Sequence, residues 1–312
     1  MLHSSLLELA EQAPLCQDAP TLRGVLAEAA DLARNAADHA ADATDIAAWY
    51  STLLRSALRS PAAHIIAPGG QLMLTGAAAR DDALPPSPVA WLTLLDSEDT
   101  IPDTMPMTEL MRGVGCVVLP SPYPAFTAAQ WRDRIREACV HEDSAALGWL
   151  YDTGGWFGAA VVEAAWADGA SRSKAADALL RQALQLRPPA VRVADGLPDR
   201  TVEIDLTRNL LHPLIRISRW AGLAAGCEGA HTRERLEHAR RAGVLSWEET
   251  TSLAEAWRAG HALRLQRWVS GLGGRVCTLE DMPPLQRSTF GASCRAVADV
   301  TRAVAARHNV AA

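Results

Sequence analysis

Lysine is nearly absent from this 312-residue chain: Lys174 is the only one, and the remaining basic side chains are arginines. That bias follows high-GC codon usage better than a selected phosphate site, so it describes a genome rather than a function. Positive charge is also in deficit overall. A net charge of -6 repels a phosphate backbone, and nucleic acid is set aside as the main ligand because contact would need a local basic patch. The six cysteines (Cys16, Cys116, Cys139, Cys227, Cys277, Cys294) form no C-x-x-C and have no histidine at zinc-ligand spacing, which leaves reduced, buried thiols. No apolar run reaches the ~18 residues of a spanning helix, and Met1-Leu-His-Ser-Ser lacks the regions of a signal peptide. A soluble, cytoplasmic protein with no membrane partner is expected. H-E-x-x-H and G-x-S-x-G are missing too, and His141, His231 and His261 have no partner histidine four residues away, so zinc hydrolase and serine esterase chemistry lack support.

What is present suffices for one large or two modest domains, since 49% of residues are hydrophobic. Residues 1–60 read as a helical segment. Leu22, Val25, Leu26, Ala29, Leu32 and Ala33 recur at helical spacing, as do Ile46, Trp49, Leu53, Leu54 and Ala57. Alanine richness between Ala27 and Ala48 favours helix but offers little side chain to bury, so this segment should lean on the rest of the fold.

From about residue 65 the period shortens. Leu72–Thr75, Val89–Leu95, Cys116–Leu119 and Val202–Leu206 read as strands, separated by Gly69-Gly70, Pro85-Pro86-Ser87-Pro88 and Pro120–Pro124, which cannot sit inside central strands. Residues 61–206 are therefore expected to form a small mixed sheet flanked by helices. Beyond 207 the pattern is helical. Ser246-Trp-Glu-Glu249 is a capping box opening a stripe of Leu253, Trp257, His261, Leu265 and Trp268, with His261 expected as a hydrogen-bonded core residue. The preceding helix ends in His238-Ala-Arg-Arg241 and stops at Gly243, and the last carries Phe290, Cys294, Val297, Val300 and Val304 on one side. Residues 207–312 thus read as a helical bundle, and the chain as α+β.

Ile204-Asp-Leu206, Pro213-Leu-Ile-Arg-Ile-Ser-Arg-Trp-Ala-Gly-Leu223, Thr232-Arg-Glu-Arg-Leu236 and Ala262-Leu-Arg-Leu-Gln266 fall in a distinctive order and spacing. In these motifs the chain resembles the signal-transduction nucleotidyltransferases related to the protein-PII uridylyltransferases, which join a nucleotidyltransferase domain to a helical substrate-binding domain. The resemblance implies a mixed sheet of nucleotidyltransferase type before the bundle. It also implies a catalytic pattern: a Gly-Ser turn, an arginine, an acidic residue, then an Asp-x-Asp pair opening the next strand. Here these positions hold Gly76-Ala77, Arg80, Asp82, and Pro88 with Ala90.

Nucleotidyl transfer needs Mg²⁺ held by hard oxygen ligands in octahedral geometry. Two carboxylates one residue apart share a strand face and can hold such ions; proline and alanine offer no side-chain oxygen. Asp96, Glu98 and Asp99 lie at the wrong end of the strand, about 20 Å from Pro88 at ~3.3 Å per residue. Asp81 and Asp82 could reach a metal if the Pro-rich segment folds back. Asp152 keeps an acidic family position, although Gly154 replaces the arginine that follows in relatives, and Asp205 keeps another. For both, a metal-ligand role and plain hydrogen bonding or capping at a strand-to-helix junction stand as alternatives.

Anion-binding candidates remain. Gly76, Ala77 and Arg80 resemble a phosphate-cradling turn, with an ordinary turn and surface arginine as the alternative. Arg208, His212, Arg216 and Arg219 recur at helical spacing and are expected as a positive strip toward the former active site, against a default of a solvated face. The expected function is a regulatory pseudoenzyme binding a protein partner or a nucleotide. A ligand-free scaffold, such as a homodimer, ranks second. Third is an active uridylyltransferase-like enzyme using displaced Asp82, Asp152 and Asp205, with Mg²⁺ and a nucleoside triphosphate as cofactors only in that case.

Overall fold

Helix caps and apolar stripes place the first elements. A computed structural model describes residues 2–100, 102–169, 173–189, 193–194, 197–198, 203–272 and 277–309. It divides into two units, Met1–Ala138 with Trp149–Val161, and Cys139–Gly148 with Val162–Ala312.

The first unit opens with α1 (Ser4–Gln12), α2 (Ala19–Asp38), α3 (Ala43–Ala57) and α4 (Pro61–Ile66). Asp18 and Thr21 close a capping box on α2, Asp42 caps α3 and Ser60 caps α4. The predicted stripes of α2 and α3 are buried, Leu32 partly so, and Trp49 of α3 donates its indole N–H to the Leu6 carbonyl at 2.6 Å. The alanine-rich α2 packs on α1, α3, α4 and α5 (Met105–Gly113), which compensates for its small side chains.

Strand β1 (Gly70–Thr75) runs antiparallel to β2 (Ala90–Leu95), in register from Gly70 opposite Leu95 to Thr75 opposite Ala90. β3 (Phe126–Thr127) lies parallel to the far end of β2, giving the order β1-β2-β3. Gly70 is required by close approach: a Cβ there would stand 2.7 Å from the Leu94 carbonyl oxygen. Helices α6 (Ala128–Val140), α7 (Ser144–Tyr151) and α8 (Gly155–Ala165) follow. Trp131 of α6 is fully buried, donates to the Thr93 carbonyl at 3.0 Å and meets the rings of Phe126 and Phe157 edge-on, so one aromatic side chain ties α6 and α8 to the sheet.

Two expected strands are corrected. Cys116–Leu119 contributes only one parallel bridge, Val118 opposite Val89, because Pro120, Pro122 and Pro124 interrupt the ladder before the chain rejoins β2 at Phe126. Val202–Leu206 does not join the sheet. Val202 lies outside the described residues, and β6 (Glu203–Ile204) pairs antiparallel with β7 (Cys277–Thr278) in the second unit.

That unit also contains α9 (Lys174–Gln185), the pair β4 (Val193–Ala194) and β5 (Leu197–Pro198), α10 (His212–Ala224), α11 (Thr232–Arg241), α12 (Trp247–Val269) and α13 (Pro284–Arg307). α10 is entered through a π-helical turn, Thr207–Leu211. Pro213 has no N–H to bond backward, so the backbone at this junction departs from the regular α pattern. The turn buries Leu210 and Leu211 against Gly260 of α12, where a Cβ would stand 2.6 Å from Leu211 Cδ2. The Ser246–Glu249 capping box forms as predicted, and Glu249 also receives Arg307 at 2.8 and 3.0 Å. α11 ends at Arg241 with Gly243 at φ +71°. Leu253, Trp257, His261 and Leu265 are buried, with His261 edge-on to Trp257 at 5.0 Å, and the whole predicted stripe of α13 is buried. The architecture is α+β with a small mixed sheet and a helical C-terminal region. Among the described residues, no helix is long and apolar enough to cross a membrane.

Packing crosses the expected boundary at 206/207. α9 precedes it but packs on α10: Arg216 donates to the Gln182 carbonyl at 3.2 Å, and Trp166 donates to the Leu223 carbonyl at 3.2 Å. Helices from residue 162 onward bury their apolar faces with the C-terminal ones, so contacts rather than the change of period set the division.

Candidate functional site

The β1–β2 register brings the start of β2 beside the turn that leaves β1. Ala90 sits opposite Thr75, and Gly76 follows at φ +69°. Gly76 and Ala77 are half-buried. The turn closes on itself through Arg80 N–H to the Gly76 carbonyl at 3.1 Å and Asp82 N–H to the Ala77 carbonyl at 2.9 Å. It is also fastened from α3. Arg55 pairs with Asp81 at 2.6 Å, and the Ser51 hydroxyl accepts the Ala83 N–H at 3.1 Å. Asp81 itself takes a left-handed backbone, φ +61°, uncommon outside glycine and helped by this pairing.

Arg80 points inward. Its Nε donates to Asp82 Oδ2 at 2.8 Å and its Nη1 donates to Asp152 Oδ2, with all three residues buried. Asp152 follows the last residue of α7, and Gly154 and Gly155 continue the chain with positive φ into α8. Burial opposes the charge of Arg80, but Asp152 and then Asp82 outweigh it and hold the guanidinium more firmly protonated than usual. Arg80 is thus engaged with internal carboxylates and is buried. Its charge is spent on two internal carboxylates, because a buried aspartate left alone would pay a large desolvation cost.

Asp205 belongs to the second unit and is exposed. Its carboxylate accepts the N–H groups of Thr207 and Arg208 at 2.8 and 3.0 Å, while Asn209 Oδ1 accepts its own N–H at 2.7 Å. This is capping at the mouth of a helix. Arg208 and His212 are exposed; Arg216 and Arg219 are half-buried. Burial and the neighbouring charge of Arg219 lower the Arg216 pKa, so the two guanidinium groups share one region of α10. Arg219 lies against α7 at Gly148, where a Cβ would stand 2.9 Å from its Nη1.

Mg²⁺ does not fit the residues at this turn. Pro88 and Ala90 supply no oxygen, and Asp82 and Asp152 already share a permanent cation. Among the described residues, no three His, Cys, Asp or Glu side chains are arranged to hold a metal ion. Sequence reasoning named Asp82 and Asp152 as candidate carboxylates and Arg80 as a candidate anion-binding residue but missed Arg55 and Ser51, since nothing local links α3 to a turn well downstream in sequence. The only signal was their polarity on a helix otherwise rich in buried residues.

No curated protein matches the chain significantly. Residues 173–308, all within the second unit, match the family model described as "Putative nucleotidyltransferase substrate binding domain".

Proposed function

We propose that this protein is a degenerate nucleotidyltransferase-like regulatory protein, a pseudoenzyme that binds a protein partner or a nucleotide instead of transferring a nucleotidyl group. One observation carries the reading: Arg80 is buried between Asp82 and Asp152, two of the three carboxylates available to replace the missing pair at Pro88 and Ala90. The third, Asp205, is engaged with backbone amides in the other unit. The helical unit that matches the substrate-binding family is the docking surface in this reading, with the half-buried Arg216 and Arg219 as its anion-facing groups.

Calorimetric titration with UTP and ATP, each with and without Mg²⁺ or Mn²⁺, tests the reading alongside the Arg216→Ala/Arg219→Ala variant. Nucleotide binding that ignores the metal and weakens in the variant is expected if a nucleotide is the ligand; no binding at all would direct the search to a protein partner. Metal-dependent binding accompanied by transfer of labelled nucleotide to protein would restore the transferase reading and end the pseudoenzyme one.

A further inference from the structure

Arg287 sits on the buried side of α13, one turn before Phe290, and is only 5% exposed. Arginine keeps its charge on burial, so a buried guanidinium ordinarily gathers a carboxylate or several carbonyls around it. Arg287 does not. Among the described residues it makes a single long hydrogen bond, Nη1 to the Leu279 carbonyl at 3.5 Å, and its Nε has no acceptor. The acids nearest in sequence are disposed otherwise: Asp281 Oδ2 accepts the Thr278 N–H at 2.8 Å, and Glu280 is exposed. The end of α12 lies alongside, where Gln286 Nε2 donates to Gln266 Oε1 at 3.1 Å, but the residue it adds next is another buried arginine, Arg267.

The bond to Leu279 also locates the guanidinium. Leu279 precedes α13, so the side chain runs back toward the start of the helix, as long helical side chains do. No side chain caps that start. The first backward bond is Arg287 N–H to the Pro283 carbonyl at 3.0 Å, which leaves the amides of Leu285 and Gln286 ahead of the ladder. Leu285 is 79% exposed, so the turn stands at the surface. A buried positive charge thus lies at the positive end of a 24-residue helix, an arrangement that repels itself until an anion joins it.

We propose that the start of α13 is a phosphate-binding site: Arg287 supplies the charge and the Nε donor, and the amides of Leu285 and Gln286 supply neutral donors to the other oxygens. The phosphate is free orthophosphate or the phosphate end of a nucleotide. The site draws on no residue of the α10 arginine face, so it stands or falls apart from the pseudoenzyme reading.

Thermal melting of the full chain in millimolar orthophosphate, against chloride at matched ionic strength, tests this, with ATP as a second arm. The wild-type melting temperature is expected to rise by a few degrees and to saturate. Arg287→Met, similar in length and uncharged, is expected to melt no lower than wild type in chloride and to ignore phosphate, because the charge it removes has no carboxylate among the described residues. An arginine held for structure alone would give the reverse, a large loss in chloride with the phosphate response intact, and that result overturns the proposal. A rise that never saturates, or that is equal in both proteins, means salt exclusion or an adventitious ion only and overturns it as well. Should Arg287→Met fail to fold, Arg287→Lys is expected to fold and to bind orthophosphate about tenfold more weakly by calorimetry, since an ammonium lacks the fixed fork; undiminished binding would count against the site. An Arg287-dependent response to ATP but not orthophosphate assigns the phosphate to a nucleotide, and one to orthophosphate assigns it to the free ion. Silence to both ends the proposal. Arg216→Ala/Arg219→Ala is expected to keep the response, and its loss there would place the anion on α10 instead.

Discussion

Asp152 and Asp205 are both aspartates at the ends of short elements, and they reach opposite solutions. Asp152 is buried and depends on Arg80, 72 residues away in sequence. Asp205 is exposed and satisfies itself with amides two and three residues ahead. An exposed carboxylate can be served by its own backbone at little cost, whereas a buried one needs a cation that only the tertiary fold can deliver. The same contrast separates the arginines. Arg80 is enclosed, while Arg216 and Arg219 are half-buried.

The comparison can be broken hardest at Arg80. Arg80→Ala removes the guanidinium that two buried carboxylates share and should lower stability by about 3–5 kcal/mol, read from urea unfolding; a loss under ~1 kcal/mol would mean the triad is not the anchor described. Next comes Gly260→Ala, which forces a methyl group to within 2.6 Å of Leu211 Cδ2 and should cost about 1–3 kcal/mol despite the better helix propensity of alanine. A third and smaller effect is expected for Asp205→Ala, a fall of about 2–4 °C in melting temperature from the lost cap. If it fell as far as Arg80→Ala, the distinction between local and tertiary satisfaction would collapse. Smallest is Gly148→Ala. The near atoms, Arg219 Nη1 at 2.9 Å, Cζ at 3.4 Å and Nε at 3.9 Å, belong to the end of a flexible side chain that can move aside, so stability should change by less than ~0.5 kcal/mol. Any weakening of anion binding in this variant, measured by titration calorimetry, would sharpen the role given to Arg219.

Much of the fold was legible in local patterns. The stripes of α2, α3, α12 and α13, the Ser246 capping box and the glycine stop after α11 depend on residues within a turn or two of each other, which sequence displays directly. The strands were less legible. Cys116–Leu119 has the apolar character of a strand, yet the prolines after it permit a single bridge, and Glu203–Ile204 finds its partner 74 residues downstream at Cys277–Thr278. At the site, the absence of side-chain oxygens at Pro88 and Ala90 could be read from the chain, but the inward turn of Arg80 could not. A Gly-Ala-Ala-Ala-Arg run serves a surface anion or an internal carboxylate equally well.

By itself, then, the sequence determined where helices begin and end, which faces they bury, and that the turn before β2 lacks paired carboxylates. Each of these follows from short-range periodicity, capping chemistry or side-chain identity. Only the tertiary structure decided that α9 packs with the C-terminal helices, that β6 leaves the mixed sheet, and that Arg80 lies between Asp82 and Asp152. Those outcomes depend on which distant groups meet out of water, and the cost of burying a charge or an apolar face is paid by partners that local sequence does not reveal.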